Sequence, residues 1–382
     1  MTHSQSDAIH ALRTAAEQFC EAEVRPILAE FERTETFPHD LAKKMGAAGY
    51  LAGTLPAAYG GTGIDLWGQV AICEVFGRYL SVRQYITVHN LLNTALWQYG
   101  HHDLQSRYLR RIATGELLAA YCLTEPNGGS DAYAMETRAV RDGDHWRLTG
   151  QKTLITLANS ADVFMVMART LADGDEHGIT AFLVEREWGV ETAPLKGKLG
   201  QRASDLGTVF FDDVVVPDAN RIGGIGQGFK IAMAVLDVSR IETAAAAVGL
   251  SQVCVDVSTR YAKSRLQFGK PIAGFQLVQE HLAEMIVDTD ASRALTYRSV
   301  QALLTQGRAT QEIAVAKYYA TEAAVRNANR AIQIHGGYGY LEAFEVERLA
   351  RDARVLTLYE GTSEIMKLLI AGQHTGIKAF QS

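Results

Sequence analysis

From about residue 8 to 115, alanines and leucines recur with charged residues between them, and the pattern breaks at Pro38, Pro56 and the Gly60-Gly61 pair. Such spacing gathers apolar side chains on one face of a helix, so residues 1–115 are expected to form an all-helical N-terminal domain. The texture changes over residues 116–222. Short apolar or alternating runs, such as Val163-Phe164-Met165-Val166-Met167 and Ile179-Thr180-Ala181-Phe182-Leu183-Val184, are separated by turn signals at Asp142-Gly143-Asp144 and Ala172-Asp173-Gly174-Asp175. This predicts a small central β-barrel or sandwich. Helical texture returns over residues 223–382. The stretch from Leu277 to Leu304, with Leu282, Met285, Ile286 and Thr289 on one stripe, reads as a long helix, and the whole third as a C-terminal four-helix bundle. The expected fold class is multi-domain α+β.

Composition narrows the function. A chain of 382 residues that is 47% hydrophobic can fill more than one core. Its net charge of -6, with both signs interspersed, offers no groove for nucleic acid. Cys20, Cys73, Cys122 and Cys254 lie far apart, framing neither a metal site nor a disulfide pattern, which fits a reducing cytoplasm. Met1 to Ala11 has no apolar core of a signal peptide, and no run of 18 apolar residues reads as a membrane span.

Chemistry concentrates in Leu358-Tyr359-Glu360-Gly361-Thr362-Ser363-Glu364-Ile365, which sets one carboxylate between an aromatic ring and a glycine. Taken alone, the segment is also a turn that ends one helix and caps the next, with Gly361 supplying positive φ and Thr362 the N-cap. Its company favours more. Upstream stand Tyr121-Cys122-Leu123-Thr124-Glu125-Pro126-Asn127-Gly128-Gly129-Ser130-Asp131, then Arg265-Leu266-Gln267-Phe268-Gly269-Lys270, Gln333-Ile334-His335-Gly336-Gly337-Tyr338 and Glu347-Arg348-Leu349-Ala350-Arg351-Asp352. In that order and spacing the chain resembles the acyl-CoA dehydrogenase family of flavoproteins, from about Ala8 to Gly372.

The resemblance implies the family's α, β, α fold, FAD as cofactor and usually a homotetramer. It implies Glu360 as the base that takes the α proton of an acyl thioester, with its own backbone N–H polarising the thioester carbonyl. Substrate contacts would come from Ser130, Asp237, Arg240, Tyr359 and Gly361. Read without the family, Asp237 and Arg240 are equally an i, i+3 surface ion pair on a helix. Some family members carry the base directly before the arginine of Leu-Asp-x-x-Arg; here that position is Ser239, which cannot serve. The flavin side would be held by Leu123, Thr124, Ser130 and Thr156, although Thr124 to Ser130 also reads as an ordinary surface turn. Arg265, Phe268, Gln276, Gln333, Gly336 and Gly337 match the adenine and pyrophosphate positions, shared in the family across subunits, and Thr362 and Glu364 would follow the catalytic turn. Among these motifs His335 reads as structural.

Three positions depart from the family pattern: Leu154 stands where an aromatic residue is common, Leu157 where asparagine is, and Leu206 where threonine is. The expected activity is dehydrogenation of acyl-CoA to trans-2-enoyl-CoA, with electrons passing to an electron-transfer flavoprotein. The rivals are a same-fold oxidase, an enoyl reductase or a tailoring enzyme acting on an acyl-carrier-protein thioester, and a non-catalytic flavoprotein. No metal, membrane or nucleic-acid partner is expected.

Overall fold

A computed structural model describes residues 3–172 and 175–379, which leaves the centre of the turn expected at Ala172-Asp173-Gly174-Asp175 outside the described residues. Six helices come first: α1 (His3–Phe19), α2 (Arg25–Thr34), α3 (His39–Ala47), α4 (Leu66–Phe76), α5 (Leu80–Tyr99) and α6 (His102–Ala113). The breaks fall where the sequence marks them, since α3 starts directly after Pro38 and Gly60 takes a left-handed φ of 91°. Helices α4 and α5 are buried on nearly all sides, so polar residues within them have no route to water.

Eight strands follow: β1 (Ala119–Cys122), β2 (Arg138–Asp142), β3 (His145–Thr156), β4 (Val163–Ala172), β5 (Asp175–Glu185), β6 (Glu191–Pro194), β7 (Leu206–Pro217) and β8 (Arg221–Ile222). They form one sheet in the order β6-β7-β3-β2-β4-β5-β8, with β1 parallel to β4. Strand β4 opens with an unbroken apolar run, Val163 to Ala168, because both its faces are covered there. Three strand spacings, roughly 14 Å, separate β3 from β5 in a flat sheet. The rings of Trp146 on β3 and Phe182 on β5 nevertheless lie 5.6 Å apart, so the sheet curls around its own core.

The last third holds α7 (Gly228–Ser264), α8 (Gln276–Gln306), α9 (Thr310–His335), α10 (Glu345–Arg354) and α11 (Ser363–Thr375). Helices α7, α8 and α9 pack side by side, and α10 and α11 lie against α9. One expectation needs correction here. Met285 and Thr289 face the bundle, but Ile286, one position round the helix from Met285, is exposed in the single chain.

Helix α7 is the shared wall of the molecule, because α4 and α5 pack on its other side. Its run Thr243-Ala244-Ala245-Ala246-Ala247 keeps that wall thin. A side chain at Gly249 would strike the backbone of Glu74, and one at Gly77 the backbone of Ala246. These two glycines set how closely the N-terminal helices approach the bundle, and so which polar groups of α4, α5 and α7 meet. No helix among the described residues is long and apolar enough to cross a membrane.

Candidate active site

Between α10 and α11 the chain turns through Leu358 to Thr362. Thr362 caps α11 by accepting the Ile365 N–H at 3.3 Å, and Gly361 has φ 94°. The turn-and-cap reading is thus correct as local structure. Glu360 itself has φ 57°, a left-handed conformation that costs a residue with a Cβ roughly 1 kcal/mol. Strain of that kind persists only where the surroundings impose it.

The surroundings here are four hydrogen bonds from two helices. Ser239 Oγ donates to Glu360 Oε1 at 2.7 Å and Thr243 Oγ1 to Oε2 at 2.8 Å, both from α7. Arg240 Nε donates to the Glu360 carbonyl at 2.9 Å, and Lys317 Nζ, from α9, to the Gly361 carbonyl at 2.7 Å. Ser239, Arg240 and Thr243 are spaced by one and three residues on a helix, which places them along one face. A methyl at Gly361 would collide with Met366 Cε at 2.5 Å. With the Glu360 and Gly361 carbonyls and both carboxylate oxygens engaged, the Glu360 N–H is left without an acceptor among the described residues. Burial pushes the Lys317 ammonium down to about 8, with the charge of Glu360 acting in the opposite direction.

Asp237 and Arg240 do form the i, i+3 ion pair, at 2.9 Å, but Arg240 is buried and clamps the turn, so the pair is not a surface feature. Tyr359 is half-buried and its hydroxyl has no hydrogen-bond partner among the described residues. Glu364 is exposed in the first turn of α11.

The flavin-side candidates lie in the β-domain. Lys152 and Glu125 form a buried ion pair at 2.6 Å, and Lys152 Nζ also donates to the Leu123 carbonyl at 3.1 Å. Burial pushes the Glu125 carboxyl up, yet Lys152 and the N–H groups of Glu136 and Thr137 outweigh it, and the group ends below the usual carboxylate range. This pair fixes the root of the Thr124 to Ser130 loop, whose Ser130 is exposed. The Thr124 carbonyl accepts from Thr153 N–H at 2.9 Å, and Thr156 ends β3 opposite Leu206.

The three leucines that break the family pattern lie along this end of the β3–β7 pair. Register slips between Lys152 and Ile155, so Thr153 and Leu154 bulge opposite Thr208. Leu154 and Leu157 both take left-handed φ, 56° and 62°, the conformation asparagine tolerates best. Leu157 is wholly buried, whereas Leu154 is 60% exposed.

Remaining candidates gather at the far end of the bundle, joined to the β-domain cluster by no hydrogen bond or ion pair among the described residues. Arg265, His335, Gly336, Gly337 and Tyr338 line an open groove of about 480 Å³. Arg265 has no carboxylate partner among the described residues; its guanidinium sits 5.5 Å over the Tyr338 ring. Nothing stands within 4 Å of where a side chain at Gly336 or Gly337 would project. A free forked cation beside two open glycines fits a pyrophosphate, and the aromatic ring fits a planar base, so the donor set suits FAD. Phe268, Gln276 and Gln333 are exposed around it, Phe268 at 92%. His335 stacks on Tyr261 at 4.2 Å and its Nδ1–H donates to the Ala331 carbonyl at 2.7 Å, a packing role.

Sequence reasoning did not single out Gln69, Arg83, Asn90, Glu242, Thr243 and Lys317, all buried on the side of the Glu360 turn. The available signal was a lone formal charge within a long helical run, as with Arg83 in Leu80–Leu96 or Glu242 two positions before four alanines.

Three family models match the chain in order: the acyl-CoA dehydrogenase N-terminal domain over residues 6–116, the middle domain over 120–214 and the C-terminal domain over 226–374. The chain is 38% identical over 363 residues to an acyl-CoA dehydrogenase of Bacillus subtilis (strain 168), covering 94% of this chain and 96% of that one. It is 37% identical to the caffeyl-CoA reductase-Etf complex subunit CarC of Acetobacterium woodii, covering 94% and 96%. The structure of butyryl-CoA dehydrogenase from Megasphaera elsdenii superposes with a TM-score of 0.92 at 33% identity, over 98% of this chain and 99% of that one.

Proposed function

Starting from a chain that belongs to the acyl-CoA dehydrogenase family, we propose that it removes the α proton and a β hydride from an acyl thioester with Glu360 as the proton acceptor. The protein is an oxidoreductase of CH–CH groups and FAD is its cofactor. Bound FAD supplies the hydride acceptor that no side chain can offer. This chain's residues do the rest. Glu360 receives the α proton on a carboxylate oxygen, its aim fixed by the hydroxyls of Ser239 and Thr243. The unpaired Glu360 N–H meets the thioester oxygen and stabilises charge developing there. Arg240 and Lys317, by holding the two carbonyls of the turn, keep that N–H pointed at one place. The observation that carries this reading is the clamped, left-handed Glu360.

Electrons then leave to an electron-transfer flavoprotein, a partner class that the relationship to CarC supports. The same relationship favours a second direction: run in reverse, Glu360 returns the proton and the enzyme reduces an enoyl thioester. Leu266, Phe268 and Leu277, exposed beside the cofactor groove, support association with further copies, in our reading a homotetramer. Anaerobic titration of the FAD-loaded protein with a panel of acyl-CoA and acyl-carrier thioesters tests the function. Flavin bleaching by at least one thioester is expected. A flavin that dithionite reduces but no thioester does contradicts it.

A further inference from the structure

Thr243 stands between two charged groups that do not pair directly. Its hydroxyl oxygen accepts from Arg83 Nη2, on α5, at 2.9 Å, and its hydrogen goes to Glu360 Oε2 at 2.8 Å. Arg83 is wholly buried and its Nε and Nη1 meet no acceptor, so among the described residues Thr243 is the one group that receives a hydrogen bond from it. Glu242, the other carboxylate in this wall, is held by the amides of Gln69 at 2.9 Å and Asn90 at 2.8 Å and forms no ion pair with Arg83. The charge that faces the guanidinium across a single hydroxyl is therefore that of Glu360.

The direction of each hydrogen bond follows from the chemistry of its ends. A guanidinium has donors only and stays charged at any relevant pH. The Thr243 oxygen must accept from it, and the one Thr243 hydrogen is then committed to Glu360. Ser239, on the other carboxylate oxygen, is under no such constraint. It donates to Oε1 at 2.7 Å, is buried, and no donor among the described residues reaches its oxygen. A serine within a helix can turn its hydrogen to the carbonyl four residues back, here that of Val235, and then accept. The two oxygens of one carboxylate thus differ: Oε2 faces a hydroxyl that only gives, Oε1 one that gives or takes.

We propose that Arg83 is a positioning residue for the reaction, acting through Thr243 to reserve Glu360 Oε2 as an acceptor and to leave Oε1, beside Ser239, as the oxygen that receives the α proton. The inference rests on the dehydrogenase reading and deepens it to a single atom. The α C–H bond breaks with its electron pair staying on the substrate, an O–H bond forms at Oε1, and Glu360 passes from anion to neutral acid. Ser239 turns and accepts from the new O–H. A proton on Oε2 would instead leave the Thr243 hydrogen against a neutral acid oxygen, with the guanidinium blocking the turn that would relieve it. Hydrogen bonds to a charged acceptor are roughly twice as strong as neutral ones, so the proton goes to Oε1. The role needs no open space at Arg83, in keeping with its complete burial.

The test follows flavin reduction in FAD-loaded enzyme by rapid anaerobic mixing at saturating thioester. The probe is the straight-chain acyl-CoA, tried from butyryl-CoA upward, that bleaches the wild-type flavin fastest. Thr243→Val should lower the limiting rate about tenfold to hundredfold, the worth of one hydrogen bond to a charged group, with FAD content and the half-saturating thioester concentration unchanged. Thr243→Ser should restore it. Arg83→Met should lower the rate as well, and Arg83→Lys, also a donor only, should retain part of it. Because Arg83 acts through Thr243, adding Arg83→Met to Thr243→Val should cost nothing more. Ser239→Ala should cost less than Thr243→Val, since the Ser239 hydrogen must turn away as the proton arrives. Losses that multiply in the double variant, or a larger loss from Ser239→Ala, overturn the proposal and leave the dehydrogenase reading standing. Should the Arg83 variants not fold, the ranking of Thr243→Val, Thr243→Ser and Ser239→Ala decides it alone. A wild-type flavin that no thioester bleaches removes the dehydrogenase reading and this proposal with it.

Discussion

The Glu360 turn, proposed to carry the base, and the groove at the end of the bundle, proposed to hold the cofactor, are built to different degrees of completion. At the turn, the Glu360 carboxylate, its carbonyl and the Gly361 carbonyl each have a partner supplied by α7 or α9. In the groove, Arg265 lies only over a ring, Gly336 and Gly337 face open space and Phe268 is 92% exposed. A base that must meet one proton at one angle gains from geometry fixed in advance by the fold. A groove for a long cofactor gains from open backbone and a free cation, because the cofactor itself brings the acceptors.

The largest effect should come from the finished region. Glu360→Gln keeps the volume of the side chain and its backbone N–H but removes the proton acceptor. Flavin reduction should slow by about 10²–10⁴-fold with FAD content unchanged, as read by rapid mixing and absorbance. Concurrent loss of FAD would merge the two regions and break the comparison.

Next in size is an acid sensitivity of the buried scaffold. His89 on α5 donates from Nδ1 to the Tyr85 carbonyl at 2.7 Å, so its Nε2 is the acceptor facing Ala119 N–H at 3.4 Å, a tie between α5 and β1. Burial pushes its pKa down to about 4, against backbone acceptors that pull it up. The folded value lies below the unfolded one of 6.5, so this stability is present above pH 6.5 and is lost as pH falls toward and through 4. The loss is on the order of 3 kcal/mol. Denaturant unfolding from pH 7 to 4 should show it in the wild type, with a flatter dependence in His89→Gln. Equal slopes would contradict it.

For the open region, Arg265→Ala should raise the dissociation constant for FAD by roughly tenfold to hundredfold, the worth of a charged hydrogen bond, in calorimetry of the apoprotein. Unchanged affinity would remove Arg265 from the cofactor site. The smallest effect concerns the bulge between them. Leu154→Asn should raise the melting temperature slightly, by less than about 1 kcal/mol of stability, since asparagine takes the left-handed conformation more readily. A lower melting temperature would show that Leu154 makes an apolar contact outweighing its strain.

The same contrast governs what could be read in the sequence. Helix breaks at Pro38 and Gly60 and the apolar run of β4 follow from periodicity and turn chemistry, and the structure has them. Glu360 stood out by lying between an aromatic ring and a glycine in the company of the other motifs, and the family resemblance they carry is what implied its role. The clamp around it did not stand out, because Ser239, Arg240, Thr243 and Lys317 are brought together only when α7 and α9 pack. Arg83 and Glu242 were hidden for the same reason: their surroundings depend on α4 and α5 lying against α7, an approach that Gly77 and Gly249 allow where α4 ends. Ile286 misled because a helical stripe read from one chain does not say how wide the buried face is. The leucines at 154 and 157 were visible as departures, while their left-handed backbone was not.

The central claim is that Glu360 takes the α proton. An acyl-CoA whose β carbon is replaced by sulfur can lose that proton but has no β hydride to give, so exchange of its α hydrogens in deuterated water isolates the step. Mass spectrometry should show deuterium entering the α position with the FAD-loaded wild type and at a rate about 10²–10⁴-fold lower with Glu360→Gln. Exchange at the wild-type rate in the variant would place the base elsewhere.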